Sequence, residues 1–146
     1  MGFSVSGATV ILFLGIFACF GIAYTAANNG AEMVGAAYED TTDKALTTQN
    51  TAISIASANT GSDSKTLSVK VNNTGSTTLS VDDTDILIDG NYTGHDKMDP
   101  LTVGGNAETN LWLPGETLRF TITLDWEPSR VKVVTENGVA ASAEVQ

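Results

Sequence analysis

Hydrophobic and polar positions divide this chain into two regimes. From Met1 to Ala31 there is no Lys, Arg, Asp, Glu or His, and the segment VSGATVILFLGIFACFGIAYTAA, Val5 to Ala27, is apolar all round a helical wheel. Ile11, Leu12, Phe13, Leu14, Ile16, Phe17, Phe20 and Ile22 leave none of the polar stripe that a helix on a soluble core keeps. At the helical rise the segment reaches ~30 Å, the thickness of a bilayer's hydrocarbon core. The pattern predicts a membrane anchor over residues 1–27. A signal peptide is the competing reading, and Ala23-Tyr24-Thr25-Ala26-Ala27 offers small residues for cleavage. Against it, MGFS supplies no basic residue, and the apolar run is longer than the roughly 7–15 residues of a signal's apolar core.

Residues 28–48 are mixed. Ala31, Val34, Ala37, Tyr38 and Ala45 fall on one helical stripe, with Glu32, Glu39, Asp40 and Asp43 largely off it. This reads as a stalk, helical next to the anchor, with Gly30 and Gly35 weakening the helix and a flexible linker equally compatible beyond Asp40. Near Thr51 the period changes to two. Strands are predicted at Ala52–Ser57, Leu67–Val71, Thr78–Val81, Asp85–Asp89, Thr109–Leu113, Thr117–Asp125, Arg130–Glu136 and Val139–Val145. The clearest is Thr117–Asp125, where Leu118, Phe120, Ile122 and Leu124 point one way and Thr117, Arg119, Thr121 and Thr123 the other. Reversals are expected at Asn73-Thr74-Gly75-Ser76, Asp89-Gly90-Asn91-Tyr92, Pro114-Gly115 and Asn137-Gly138. Gly94 to Glu108, with Pro100, Gly104 and Gly105, reads as loop. The fold class is mainly β: a transmembrane helix followed by an antiparallel β-sandwich over residues 49–146, with Trp112 and Trp126 to close its ends.

Charge changes the picture of what the head can meet. Acidic residues number 17 against 7 basic ones, and the net charge of −10 lies wholly outside the apolar segment. Such a surface repels nucleic acid and anionic lipid, so neither is an expected partner. It suits a halophilic protein, because at molar salt the Debye length falls to ~3 Å and the self-repulsion is screened. The first basic side chain is Lys44, so the α-amino group is the one positive charge near the span. This favours a cytoplasmic N-terminus and an external head. The sequons Asn72-Asn73-Thr74 and Asn91-Tyr92-Thr93 agree, and both are expected in turns or loops.

Candidate chemistry is sparse. Gly7, Gly15, Cys19, Ala23 and Ala27 share one helical face, on which a second membrane helix can approach closely. Cys19 has no second cysteine to pair with and reads as a small apolar filler. His95 is the only histidine, a solvated loop residue with no catalytic set around it. The loop from Asp89 to Gly94 begins like a calcium loop, with oxygen ligands at alternate positions and Gly sixth. Its fifth position is Thr93, however, and its twelfth is Pro100, where a bidentate Glu is needed, so it reads as turn chemistry. No phosphate loop, zinc spacing or paired catalytic acids occur, and neither enzymatic activity nor a cofactor is expected. The loops Ser76 to Asp83 and Asp89 to Asp99 are the candidate partner surface, with the acidic run Asp82, Asp83 and Asp85 as its candidate residues. An exposed β-edge offers a route to a homodimer.

Two sets of residues carry a family resemblance. MGFSVSGATVILFLGIF followed by GIAYTAA resembles the N-terminus of the FlaF family of haloarchaeal archaellum proteins, and VKVNNTGSTTLSVDDTDILIDG and WLPGETLRFTITL resemble the β-domain shared by FlaF, FlaG and archaellins. The resemblance covers nearly the whole chain. It implies a single-pass protein of the cell membrane with an immunoglobulin-like head in the archaeal pseudoperiplasm. It further implies S-layer protein as the partner, with FlaG and other archaellum proteins beside it, and a stator role in the motor. The alternatives are FlaG itself or a filament subunit, archaellin or type IV pilin-like, that polymerises through its N-terminal helix. Precursors of such subunits carry a basic leader cut after Gly, whereas a cut after Gly2 removes two residues, neither basic, and no Glu stands fifth from Phe3. A membrane-tethered ligand-binding module is the third reading.

Overall fold

Alanine is the commonest residue of the N-terminal third, which has no proline, and that third forms one unbroken helix, α1, Phe3–Asn50. The computed structural model describes residues 3–146. From Ser6 to Leu46 every side chain on α1 is exposed. The helix is long and apolar enough to cross a membrane, with a mean hydropathy of 2.3 in its apolar window. Thr25, inside the apolar stretch, donates its hydroxyl to the Gly21 carbonyl at 3.0 Å, which satisfies a polar group where no water need be present. Thr41 does the same with Ala37 at 2.7 Å. The reading of a flexible linker beyond Asp40 is corrected: neither Gly30 nor Gly35 interrupts the helix, and helical geometry continues to Asn50.

The chain divides into two compact units, Met1–Asp43 and Lys44–Gln146, so the last turns of α1 belong to the second. The rest of that unit is an antiparallel, immunoglobulin-like sandwich. One sheet has the order β1 (Ile53–Thr60), β2 (Thr66–Asn73), β8 (Thr117–Thr123), β6 (Met98–Val103). The other has β10 (Ala140–Glu144), β9 (Arg130–Val134), β4 (Asp85–Ile88), β5 (Asn91–Thr93). A short pair, β3 (Leu79–Ser80) with β7 (Leu111–Trp112), covers one end. Alternation works as read: Leu67, Val69 and Val71 of β2 and Leu118, Phe120 and Ile122 of β8 face inward against Ile86, Ile88, Val131 and Val133. β1 and β10 lie side by side, and the Gln146 backbone bonds to Thr60 and Ala58, which seals that flank.

Two expectations need correction. The stretch Gly94 to Glu108 is not all loop, since it contains β6 and a 3-10 turn, His95–Lys97. Pro100 argued against a strand, but β6 is an edge strand whose register shifts between Met98 and Leu101, and an edge bulge is where a sheet accepts proline. Trp112 does not cap the surface. It is fully buried, with its indole N–H donating to the Glu116 carbonyl at 3.0 Å. Trp126 remains partly exposed at the opposite end.

Candidate functional site

Within the second unit, the last turn of α1 is held to the sandwich by short polar residues. Helix C-termini leave carbonyls without intrahelical partners. The Thr51 hydroxyl donates to the Thr47 carbonyl at 2.7 Å and the Ser76 N–H to the Asn50 carbonyl at 2.9 Å. The N–H groups of Thr74 and Gly75 both reach the Ala52 carbonyl at 2.9 Å. A second loop joins in. Asn137 donates its amide to the Thr51 hydroxyl at 3.1 Å, and its own carbonyl accepts the Thr48 hydroxyl at 3.5 Å.

Asn73 holds the first of these loops in shape. It is buried, and its amide nitrogen donates to the carbonyls of Thr77 at 2.8 Å and Trp112 at 3.1 Å, while its amide oxygen accepts the Gly75 N–H at 3.1 Å. Gly75 is required for close approach. A Cβ there would lie 2.5 Å from both the Ala52 nitrogen and the Asn50 carbonyl oxygen. The stretch Asn73-Thr74-Gly75-Ser76 was legible as a turn, but not as the clasp on the helix end, because its partners are distant in sequence.

The acidic run lies at the same end of the sandwich. Its backbone is fixed: Asp82 N–H donates to the Asn110 side chain at 2.8 Å and the Thr84 hydroxyl to the Ser80 carbonyl at 2.7 Å. The side chains of Asp82, Asp83 and Asp85 are exposed. The Asp89-Gly90 turn sits at the other end, so the two candidate partner loops are not brought together. Ile88 pairs with Asn91, leaving a two-residue turn with φ of 52° at Asp89 and 86° at Gly90, the pattern that matches strand twist in a tight hairpin.

The Asp89 carboxylate is filled by protein donors, which accounts for the calcium-like spacing without an ion. It accepts the Ser129 hydroxyl at 2.8 Å, the Arg130 N–H at 2.9 Å, the Ser129 N–H at 3.1 Å and the Trp126 indole N–H at 3.1 Å. Among the described residues no cluster of His, Cys, Asp and Glu could hold a metal ion. Desolvation pushes the Asp89 carboxyl up, but the bonds from Ser129, Arg130 and Trp126 together outweigh it and hold the group below its ordinary value. Asp63, in the β1–β2 turn, is brought down to about 2 by the Thr66 hydroxyl first, then by the N–H groups of Thr66 and Lys65.

Both carboxyls are depressed in the folded state, so each contributes stability above the unfolded value of 3.8 that is lost as pH falls through its folded value. Urea denaturation between pH 5 and pH 2 should therefore show stability falling below about pH 4. Asp63→Asn and Asp89→Asn should each flatten that fall, and an unchanged acid limb in both variants would show that other groups set it.

The remaining candidates fall in separate places. Asn72 lies in strand β2, half-buried, with its side-chain oxygen accepting the Thr117 hydroxyl at 2.8 Å, so the expectation of a turn is corrected there. Asn91 is exposed at the start of β5. His95 is not simply solvated. Its Nε2 lies 2.8 Å from the Thr84 carbonyl oxygen, which only accepts, so Nε2 carries the proton. On α1, Gly15, Cys19 and Ala23 line a shallow apolar groove with Ile11, Leu12, Ile16 and Phe20, and a Cβ at Gly7 or Gly15 would meet nothing within 4 Å. Met1 and Gly2, where the considered cleavage would fall, lie outside the described residues.

Solved structures similar to the chain include the archaellum periplasmic stator protein FlaG from Sulfolobus acidocaldarius, at 25% identity and a TM-score of 0.46, covering 64% of this chain and 98% of that one. A second is the archaellum periplasmic stator protein complex of FlaF and FlaG from the same organism, at 22% identity and a TM-score of 0.44, covering 63% of this chain and 86% of that one. No significant match is found among curated proteins. The family model for archaeal-type flagellin matches residues 2–145. Matched over all but its first and last residue, the chain belongs to the archaeal-type flagellin family and is a structural, non-enzymatic component associated with the archaellum.

Proposed function

We propose that this chain is a membrane-anchored part of the archaellum motor, with α1 as the anchor and the β-sandwich as an external head that grips a fixed neighbour. The observation that carries the reading is one continuous helix, Phe3–Asn50, which starts as an uncharged apolar span and ends with its last carbonyls bonded by the head's own loops. A stator must resist extraction, for which the apolar span is suited, and its head needs a fixed start, which the bonds around the last turn of α1 supply within the second unit. Family membership supports the archaellum setting. The finer reading follows the resemblance to FlaF: S-layer protein as the neighbour, FlaG and other archaellum proteins as companions, and the head in the pseudoperiplasm. The face of Gly7, Gly15, Cys19 and Ala23 would admit a companion's helix, and Asn91 is the more accessible sequon for an external glycan.

Fractionation tests the reading against a filament subunit. Intact mass is measured on this protein from filaments sheared off the cells and from the washed envelope membrane. A motor component is expected in the membrane alone. Dominance in the sheared filaments would replace the stator reading with that of a filament subunit polymerising through α1.

A further inference from the structure

The charge on the head is sorted by place. Its acids sit mainly in turns and connections, while two of its few cations, Lys70 on β2 and Arg119 on β8, stand directly opposite each other in the centre of one sheet. Like charges in that relation destabilise a sheet, and an opposite-charge pair would stabilise it. The row through them reads Ser57, Lys70, Arg119, Thr102 across all four strands, and the rows on either side carry Ser, Thr and Asn at the outward positions of β1, β2 and β8. The four strands of this sheet carry no acid but Asp99, and the other acids around it sit at the rim, Glu144 of β10 beside Ser57 among them. Asp63 is held by Thr66, Glu116 accepts the Leu113 N–H, and Asp99 lies in the bulge of β6. Neither Lys70 nor Arg119 has an ion-pair partner among the described residues.

We infer that this outer sheet face is a docking surface for an acidic protein, whose paired carboxylates would complete the row by bridging Lys70 and Arg119. Short hydroxyl and amide side chains around the pair keep the face flat enough for another protein to reach both cations. The local cost of opposing two positive charges is removed when the partner's carboxylates arrive, so the complex gains what the free head forgoes. Two cations on a chain of net charge −10 are too few to hold nucleic acid or an anionic bilayer. This deepens the reading of the head as the part that grips a neighbour. It is tested on purified protein, so relocation of the chain to filaments would leave it standing.

The test uses the full chain in nanodiscs of zwitterionic lipid, with poly-L-glutamate as the probe and poly-L-glutamine as the neutral control, at moderate salt. The wild type is expected to bind poly-L-glutamate selectively, with affinity falling as salt rises. Lys70→Glu should lose about tenfold or more of that affinity. The same change places opposite charges across the β2–β8 ladder and should raise the melting temperature by about 1–6 °C. Weaker binding in a more stable head is a result that a merely structural role for Lys70 does not produce. Arg119→Glu should act alike, and Lys70→Gln gives the binding loss if the reversal impairs folding. The inference is overturned if the wild type does not prefer poly-L-glutamate, or if Lys70→Glu and Arg119→Glu both bind as it does. Equal binding of alginate would assign the face to an acidic glycan instead. Self-association of the wild type that Lys70→Glu abolishes would make the occupant a second copy, and either result overturns the assignment.

Discussion

Gly75→Val is expected to lower the stability of the head by about 3 kcal/mol, a drop in melting temperature of about 12 °C or more in a domain of this size. The atoms that a Cβ would strike are the Ala52 nitrogen and the Asn50 carbonyl oxygen, each 2.5 Å away. These are backbone atoms held by the bonds that end α1, and no flexible side chain can move aside. Relief therefore requires the loop Asn73–Thr77 to lift, which costs the bonds from Thr74, Gly75 and Ser76 to the carbonyls of Ala52 and Asn50. Limited proteolysis should then open residues 48–52 before the rest of the head. Gly138→Ala is the control. Gly138 has φ of 76° with nothing within 4 Å of a Cβ, so its substitution carries conformational cost alone, about 1 kcal/mol. Equal melting temperatures for Gly75→Val and the parent would show that the clasp does not bear on the head's stability.

Phe120→Asp is expected to abolish folding of the head. Phe120 is fully buried in β8 between Val69 of β2 and Leu101 of β6 in the ladder. A carboxylate there would be desolvated, with only aliphatic and aromatic neighbours and no cation facing it, and an uncompensated buried charge costs more than a small domain's margin of stability. Phe120→Ala separates the charge from the volume. It should remain folded but lose about 3–5 kcal/mol to lost burial and the cavity left behind. Circular dichroism and denaturant titration distinguish the two. A cooperatively folded Phe120→Asp head would mean that this strand presents its other face to the core.

The strands were legible where alternation is strict and failed where packing overrides it. β2 and β8 have apolar residues at every second position, and both appear at the expected places. β6 was hidden because Asp99 and Pro100 interrupt its pattern, and only its place at the sheet edge makes them tolerable. Asn137-Gly138 was read correctly as a reversal. The Gly138 N–H closes the turn on the Thr135 carbonyl at 2.9 Å, while the Asn137 side chain reaches across to Thr51. The candidate interaction residues were harder to see. Asp82, Asp83 and Asp85 stand out in the sequence as a run, but the cations Lys70 and Arg119 are far apart in the chain, and nothing local marks them as neighbours.

By itself the sequence determined what depends on local composition and period. An uncharged apolar stretch has few structural alternatives to a helix that can span a bilayer, and alternation by twos with Gly- and Asn-bearing turns leads to an antiparallel sandwich. The excess of acid over base set the sign of the exposed surface in the same way. Tertiary structure decided the rest. It turned the stretch around Gly75 into a clasp on the end of α1, saturated Asp89 with donors from Trp126 to Arg130, and set Lys70 opposite Arg119. Each of these joins residues remote in the chain through strand register, and register comes from the way the whole core packs.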